Sequence, residues 1–524
     1  MPKMSKLIYR KVGVASIIMM ISVFLSRFIG LIREMVIAYI GGAKASVDAY
    51  QISFIIPEIL NHVVASGFLS ITFIPIFAKY LAENKEEEGW KVFSIILNTM
   101  GLILIIFIFF SCIFSSHLVE LLAPGLSDNN IKASAIRMTT IILPAQFFFF
   151  AGSLFMAVQF AKEKFVIPAT APLLYNLGII LGGVALASSF GIEGFSWGVL
   201  FGAFVGNFLI QWIGAKKAGM KYYFIFDLKH PDFKKYLKLT IPLTIGLTMT
   251  FSTEVFLRFF GSYLSEGSIA SLIYSLRIMM MLVGFLGQAV GTASFPFMAR
   301  LAAENKIDEM NKLLNTTLRY LTFIIPISVL IMVLRHEIVL ILFERGKFNS
   351  SATNFTSGIL PFLMIGAFAF SAQTIVVRGY YAMQNTLFPS IFGTIAVLVS
   401  LPLYVLGVKL MAAKGLAFAI SISVTFQVFL LFAIWNHRSK NSETMTVYKS
   451  IIKISLISLF IGVFLEFFKN YIILKINPFS FTGSFIISSI ISLIFFIFLL
   501  MSSYVFHINE ISEVLKRLIK KVHL

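Results

Sequence analysis

Four arginines lie inside stretches long and apolar enough to cross a membrane. Arg27 and Arg33 fall within residues 16–40, and Arg258 and Arg277 fall in the two stretches that open the second half of the chain. A guanidinium stays protonated at physiological pH. Placing one in hydrocarbon costs at least ~2.5–3.5 kcal/mol on the most lenient insertion scale. A surplus of such cations facing one cavity is chemistry for holding an anion. Few acids stand near them: Glu34 follows Arg33, and Glu254 precedes Arg258 by four residues, the favourable order for a helical ion pair. That pair either neutralises itself or touches a ligand. Arg27 and Glu34 are seven apart and share a helix face, whereas Arg33 is turned from Arg27 by about 120°. All three face one cavity only if the helix bends, and Gly30 is the natural place for it. The competing reading is that Arg33 and Glu34 sit near a helix end and snorkel to water. Arg277 has no acid within a turn, so its counter-charge is a residue elsewhere or a ligand.

Three further polar residues belong to the same search. Asp48 heads the second apolar stretch, as a helix N-cap or as part of a cavity wall. Glu58 and His62 lie one turn apart, a spacing that suits a proton relay or a cation site and equally suits a polar pair in a wet cavity.

The elements that carry these residues are set by composition. The chain has 524 residues, of which 58% are hydrophobic and only 13% charged; soluble proteins carry about 25% charged residues, so this is a polytopic membrane protein. Its net charge of +19 does not point to nucleic acid, because lysine and arginine collect in short connections and at both ends. The single cysteine, Cys112, excludes a disulfide framework or cysteine-rich metal site. The first apolar stretch is too long and too charged for a cleavable signal peptide. Fourteen windows of spanning length can be laid down, near 13–40, 48–78, 91–115, 132–160, 166–189, 193–215, 237–262, 268–299, 314–334, 353–382, 387–409, 414–436, 448–471 and 481–506. An even count, with basic residues at both ends and in the loop after the sixth window, places both termini in the cytoplasm. Residues 509–522 carry one apolar stripe with lysines opposite, which reads as a basic amphipathic helix on the inner leaflet or as a helix packed on the bundle.

The two halves repeat at an offset near 221 residues. Phe73-Ile74-Pro75-Ile76-Phe77-Ala78-Lys79 returns as Ser294-Phe295-Pro296-Phe297-Met298-Ala299-Arg300, and Ala-Glu-Asn-Lys follows each copy. Pro168 answers to Pro389 and Gly194 to Gly415. This predicts two parallel six-helix repeats forming two lobes around a central cationic cavity. The lobes are 1–218 and 219–440, an appended pair occupies 441–507, and the basic helix occupies 508–524. Gly194, Gly198, Gly202 and Gly206 mark close helix packing rather than a nucleotide loop. His336-Glu337 lacks the second histidine of a zinc-protease helix. No nucleophile elbow, carboxylate pair, metal cluster or cofactor motif points to an enzyme.

The run Ser26 to Glu34, followed by Asp48-Ala49-Tyr50, Pro57, Gly67-Phe68 and Phe73-Ile74-Pro75, resembles the opening signature of the MurJ/MviN family. The resemblance continues through Leu122-Ala123-Pro124-Gly125, Ala171 to Asn176, Glu266-Gly267-Ser268, Tyr274 to Arg277, Phe343 to Phe348 and Tyr381 to Thr386. It covers about residues 10–440, and members of that family belong to the multidrug/oligosaccharidyl-lipid/polysaccharide exporter superfamily. Members flip lipid II, the undecaprenyl-pyrophosphate-linked peptidoglycan precursor, across the bacterial inner membrane. The family's charged cavity residues fall on Arg27, Arg33, Glu34, Asp48 and Arg277. Departures are Asn61 and His62 where an arginine pair is usual, Leu276 where an acid is usual, and Leu257-Arg258 where Asp-Arg is common. The sodium site of some members is not carried over, because no carboxylate lies between Leu387 and Trp435.

The expectation is a flippase in which Arg27, Arg33, Arg277 and Arg258 hold the pyrophosphate, with Glu34, Asp48, Glu254, Glu58 and His62 orienting or gating. Its partners are lipid II, membrane lipids, and a coupling cation or the membrane potential. A flippase for another polyprenyl-pyrophosphate glycan, a cation-coupled drug exporter and a non-transporting scaffold remain alternatives.

Overall fold

The computed structural model describes residues 2–62, 68–246, 248–385 and 387–506, and every regular element among them is a helix. Residues 509–522, expected as an amphipathic helix, lie outside the described residues. Hydrocarbon offers no hydrogen-bond partner, so a spanning segment must satisfy its backbone internally, and a helix does so. Nine described helices are long and apolar enough to cross a membrane. The bent pair Ser350–Met364 and Ala367–Ala382, with 43° between its parts, makes a tenth. Leu387–Ser439 is interrupted at Ala412 (φ 49°, ψ −127°) and holds two of the expected windows.

Two other windows depart from a regular α-helix. The second runs as Ala45–Ile52, Ile55–Leu60 and Phe68–Ala82. Pro57 has no N–H to offer the carbonyl four residues back and crowds it, so the chain turns at Ser53 and Phe54. The eighth runs as Ser268–Leu282, a π-helical stretch Val283–Gln288, and Ala289–Ala303.

By their packing the residues divide into two compact units, Met1–Ile269 and Ala270–Leu524. In the first, Val166–Phe190 lies on Glu193–Gly202 and on Pro2–Gly41. A Cβ on Gly178 or Gly182 would overlap the backbone of Gly202 or Gly198, so the glycine stripe is indeed a packing device. The helices Pro231–Gly246 and Thr248–Gly261 also pack in this unit. Tyr80 donates to Asp232 at 2.5 Å, the hydroxyls of Thr72 and Thr240 meet at 3.2 Å, and Gly125 N donates to Ser262 Oγ at 3.0 Å.

In the second unit Thr444–Ile473 and Phe481–Val505 pack on Ile324–Val333 and Arg335–Phe343. Ile454, Ile461, Leu465, Ile487, Ile491 and Phe495 close against Leu330, Val333 and Leu334. A polar bolt fixes the same seam. Buried Lys469 reaches Glu337 at 3.6 Å and donates to the Val333 carbonyl, and Arg335 grips Glu466 through two bonds of 2.8 and 3.1 Å. His336 stands edge-on to Phe479, a packing role.

The backbone itself repeats. Left-handed residues occur at Asn84 and Asn305, Glu163 and Gln384, Gly191 and Ala412, and Gly219 and Lys440, each pair at the spacing of about 221 residues read from the sequence. Gly191 (φ 55°, ψ −130°) and Ala412 adopt nearly the same unusual conformation. Sequence landmarks and backbone turns therefore record one duplication.

Candidate functional site

In the first unit, the helix Pro2–Gly41 carries Arg27, Arg33 and Glu34 and runs without a break through Gly30. Arg33 Nη2 donates to the adjacent Glu34 Oε1 at 2.6 Å, and its Nη1 donates to Asn176 Oδ1 at 3.0 Å. Asn176 is held in turn by donating to the Pro172 carbonyl at 2.9 Å. Pro172 lacks the N–H of a normal helix residue, and the carbonyl of Pro172 itself accepts this side-chain bond. Asn176 lies in the Ala171–Asn176 motif without a role legible there, because nothing in residue spacing brings position 176 beside position 33. Arg33 Nε is buried with no acceptor. Arg27, half-buried one and a half turns earlier, makes no ion pair or hydrogen bond among the described residues. The two arginines thus differ in kind: one is anchored, the other is free to meet a ligand.

Arg258 is the most deeply buried of the four, at 1% exposure. Glu58 takes it in a bidentate grip at 2.5 and 3.1 Å, and Glu254 adds a contact at 3.2 Å. The paired helix acid expected from the sequence is present, but the main partner comes from the second window. Two parallel N–H···O bonds to one carboxylate are the strong geometry for a guanidinium. His62 Nδ1 meets the backbone carbonyl of Glu58 at 2.7 Å, while the Glu58 carboxylate goes to Arg258.

Asp48 is not the N-cap of its helix, since that position is Lys44. Buried one turn in, it accepts the backbone N–H of Gly267 at 2.6 Å. Gly267 has φ +79°, and a Cβ there would overlap the Ala43 carbonyl, so only glycine fits the turn that Asp48 holds.

In the second unit Arg277 lies partly buried on Ser268–Leu282, with buried Leu276 and Ile278 either side. The first unit therefore assembles Arg33–Glu34–Asn176, Arg258–Glu58–Glu254 and Asp48–Gly267, and Arg277 belongs to the other body. Among the described residues no group of three histidine, cysteine or acidic side chains could hold a metal ion.

Known proteins match this arrangement along most of its length. The family described as "Lipid II flippase MurJ" matches residues 37–483. The chain belongs to that family. A MurJ relative from Buchnera aphidicola subsp. Baizongia pistaciae, called a probable lipid II flippase, is 27% identical over 413 residues, 78% of this chain and 80% of its own. A solved structure of lipid II flippase MurJ in an inward closed conformation superposes with a TM-score of 0.74 at 27% identity, covering 94% of this chain and 99% of that one. A transporter of the multidrug-resistance MATE family, from the MOP superfamily, superposes with a TM-score of 0.62 at 11% identity over 83% of this chain and 99% of that one, which is a likeness of fold alone. The MurJ family is a family of transporters, and this member is a multi-pass membrane protein.

Proposed function

We propose that this chain moves lipid II from the inner to the outer leaflet of the bacterial cytoplasmic membrane by alternating access. The observation that carries the reading is the match to the lipid II flippase family across residues 37–483. The site adds a chemical reason: Arg27 is a half-buried charged group inside an apolar stretch, with no acid of its own among the described residues. A pyrophosphate supplies the missing counter-charge through charge-assisted hydrogen bonds. Arg27 and Arg277 are the first contacts of the head group. Arg33 is held in readiness by Glu34 and Asn176, and Arg258 with Glu58 and Glu254 is a structural tie supporting the cavity. Asp48, through Gly267, and His62 serve gating. The proposed organisation is two repeats, 1–218 and 219–440, with the pair 441–507 guiding the prenyl tail and both termini in the cytoplasm. Outward movement of a dianionic head down an inside-negative potential gains about 2.3 kcal/mol per charge per 100 mV, so the potential serves as driving force.

The test is depletion of the native protein with complementation. Loss of the chain should leave lipid II stranded in the inner leaflet, and the wild type should restore its export while Arg27→Ala and Arg277→Ala should not. If depleted cells go on exporting lipid II and lose a capsule or O-antigen unit instead, the substrate is another polyprenyl-pyrophosphate glycan. If well-expressed Arg27→Ala and Arg277→Ala both restore growth, the arginine site is wrong.

A further inference from the structure

The second unit contains a further arginine, partly buried, outside the proposed set of head-group contacts. Arg378 lies on Ala367–Ala382, one turn from its end. Its Nη1 is shielded from solvent and has no hydrogen-bond partner, and the residue makes no ion pair among the described residues. The sequence explains why an acid is hard to find: from Arg345 to Ser442 there is no aspartate or glutamate. A desolvated cation without a counter-charge is costly, and nothing in its own stretch of chain relieves it.

The surroundings are shaped to admit it. The π-helical turn Val283–Gln288 brings Gly287 so close to the facing helix that a Cβ would sit 2.7 Å from the Ser371 Cβ. One turn on, a Cβ on Gly291 would lie 3.1 Å from Arg378 Nη1 and 3.2 Å from Thr374 Oγ1. Gly291 thus clears the space in which the guanidinium lies, and Gly287 lets the two helices approach. Nη1 is shut in, yet the residue as a whole is only partly buried. A snorkelling arginine would take its nitrogens to water; this one holds a nitrogen in the interior.

Gly291 is fourteen residues beyond Arg277 along the same helix, through its π-helical stretch, a rise of ~20 Å at about 1.5 Å per residue. The unit therefore presents two arginines at two depths of one span. We propose that Arg378 is a second anion-contacting residue of the C-terminal unit: it receives a phosphate oxygen of the lipid-linked pyrophosphate at the cytoplasmic end, before the head group reaches the depth of Arg277. This rests on the flippase reading for the identity of the anion and for which end is cytoplasmic.

The test uses the full chain in detergent micelles and two probes, undecaprenyl pyrophosphate and lipid II, with inorganic pyrophosphate as competitor. Wild type should bind undecaprenyl pyrophosphate and lose it to the competitor. Arg378→Ala should weaken binding at least ~10-fold, the effect of one charge-assisted hydrogen bond. Arg378→Lys should fall between the two, and Gly291→Ala should follow the alanine variant in part. The thermal midpoint of Arg378→Ala should equal or exceed that of wild type, because an unneutralised buried charge has gone. Arg378→Gln replaces the alanine variant if the latter is not recovered. Unchanged affinity in the alanine or glutamine variant overturns the inference, as does an affinity loss matched by a fallen midpoint, which marks a structural residue. Wild type that binds undecaprenyl pyrophosphate but not lipid II overturns the lipid II reading and leaves the Arg378 comparison decisive. Wild type that binds neither overturns both.

Discussion

The two units share their turns and differ in what they bury. Asn84 and Asn305, Glu163 and Gln384, and Gly191 and Ala412 adopt matching left-handed conformations at matching places. Yet the first unit surrounds its deepest arginine with two carboxylates, Glu58 and Glu254, while the second leaves Arg378 without one in a stretch that has no acid from 345 to 442. The helical repeat is a backbone property that tolerates many side chains, so duplication keeps it. Charge neutralisation needs particular residues brought together from distant windows, as Glu58 is brought to Arg258. A paired arginine holds the fold together, and an unpaired one is available to an anion.

The largest effect should come from breaking the pair. Glu58→Ala leaves Arg258 buried with Glu254 alone and should lower stability by about 3–5 kcal/mol, seen as a thermal midpoint far below wild type in detergent. A midpoint within a degree of wild type would erase the distinction between the units. The bolt under the appended helices should come next. Lys469→Met leaves buried Glu337 without its cation, at a cost of about 3 kcal/mol, and limited proteolysis should then release the pair beyond residue 441 first.

Asp48→Asn keeps the shape of the Gly267 latch and removes its charge, which should lower stability by about 2 kcal/mol. Slower hydrogen exchange at the 262–268 turn in this variant would contradict the latch. A smaller effect of opposite sign is expected where glycine in one repeat is answered by alanine in the other. Ala412 adopts the conformation that Gly191 supplies freely, so Ala412→Gly should raise stability by about 1 kcal/mol, and Gly191→Ala should lower it. The least structural effect belongs to Arg27→Ala, within ~0.5 kcal/mol of wild type. Its lipid II transport in proteoliposomes should nevertheless fall by at least ~10-fold. Equal loss of midpoint and transport would make Arg27 a structural residue too.

Much of this was legible from the residues alone. Long apolar windows can only be helices in hydrocarbon, so the all-helical membrane fold followed from composition. The repeat followed from ordered landmarks such as Phe73–Lys79 and Ser294–Arg300. The i, i+4 acid of Arg258 could be read because a helix fixes the neighbours of its own residues. That the windows break at Pro57 was only half visible, because proline marks where a helix cannot continue but not how the chain turns. The residue types of Val283–Gln288 carry no proline or charge that marks its π-helical turn.

Residue order alone thus shows which charges fall inside apolar windows and the spacing at which the landmarks repeat. Only the tertiary structure decided which of those charges are already answered. Glu58 meets Arg258 and Asn176 meets Arg33 across separations of 200 and 143 residues, and Arg378 meets no acid at all among the described residues. Local rules fix what a residue is and which neighbours share its helix face. Neutralisation in a low-dielectric interior depends on a few ångströms between helices, and no spacing along the chain encodes that distance.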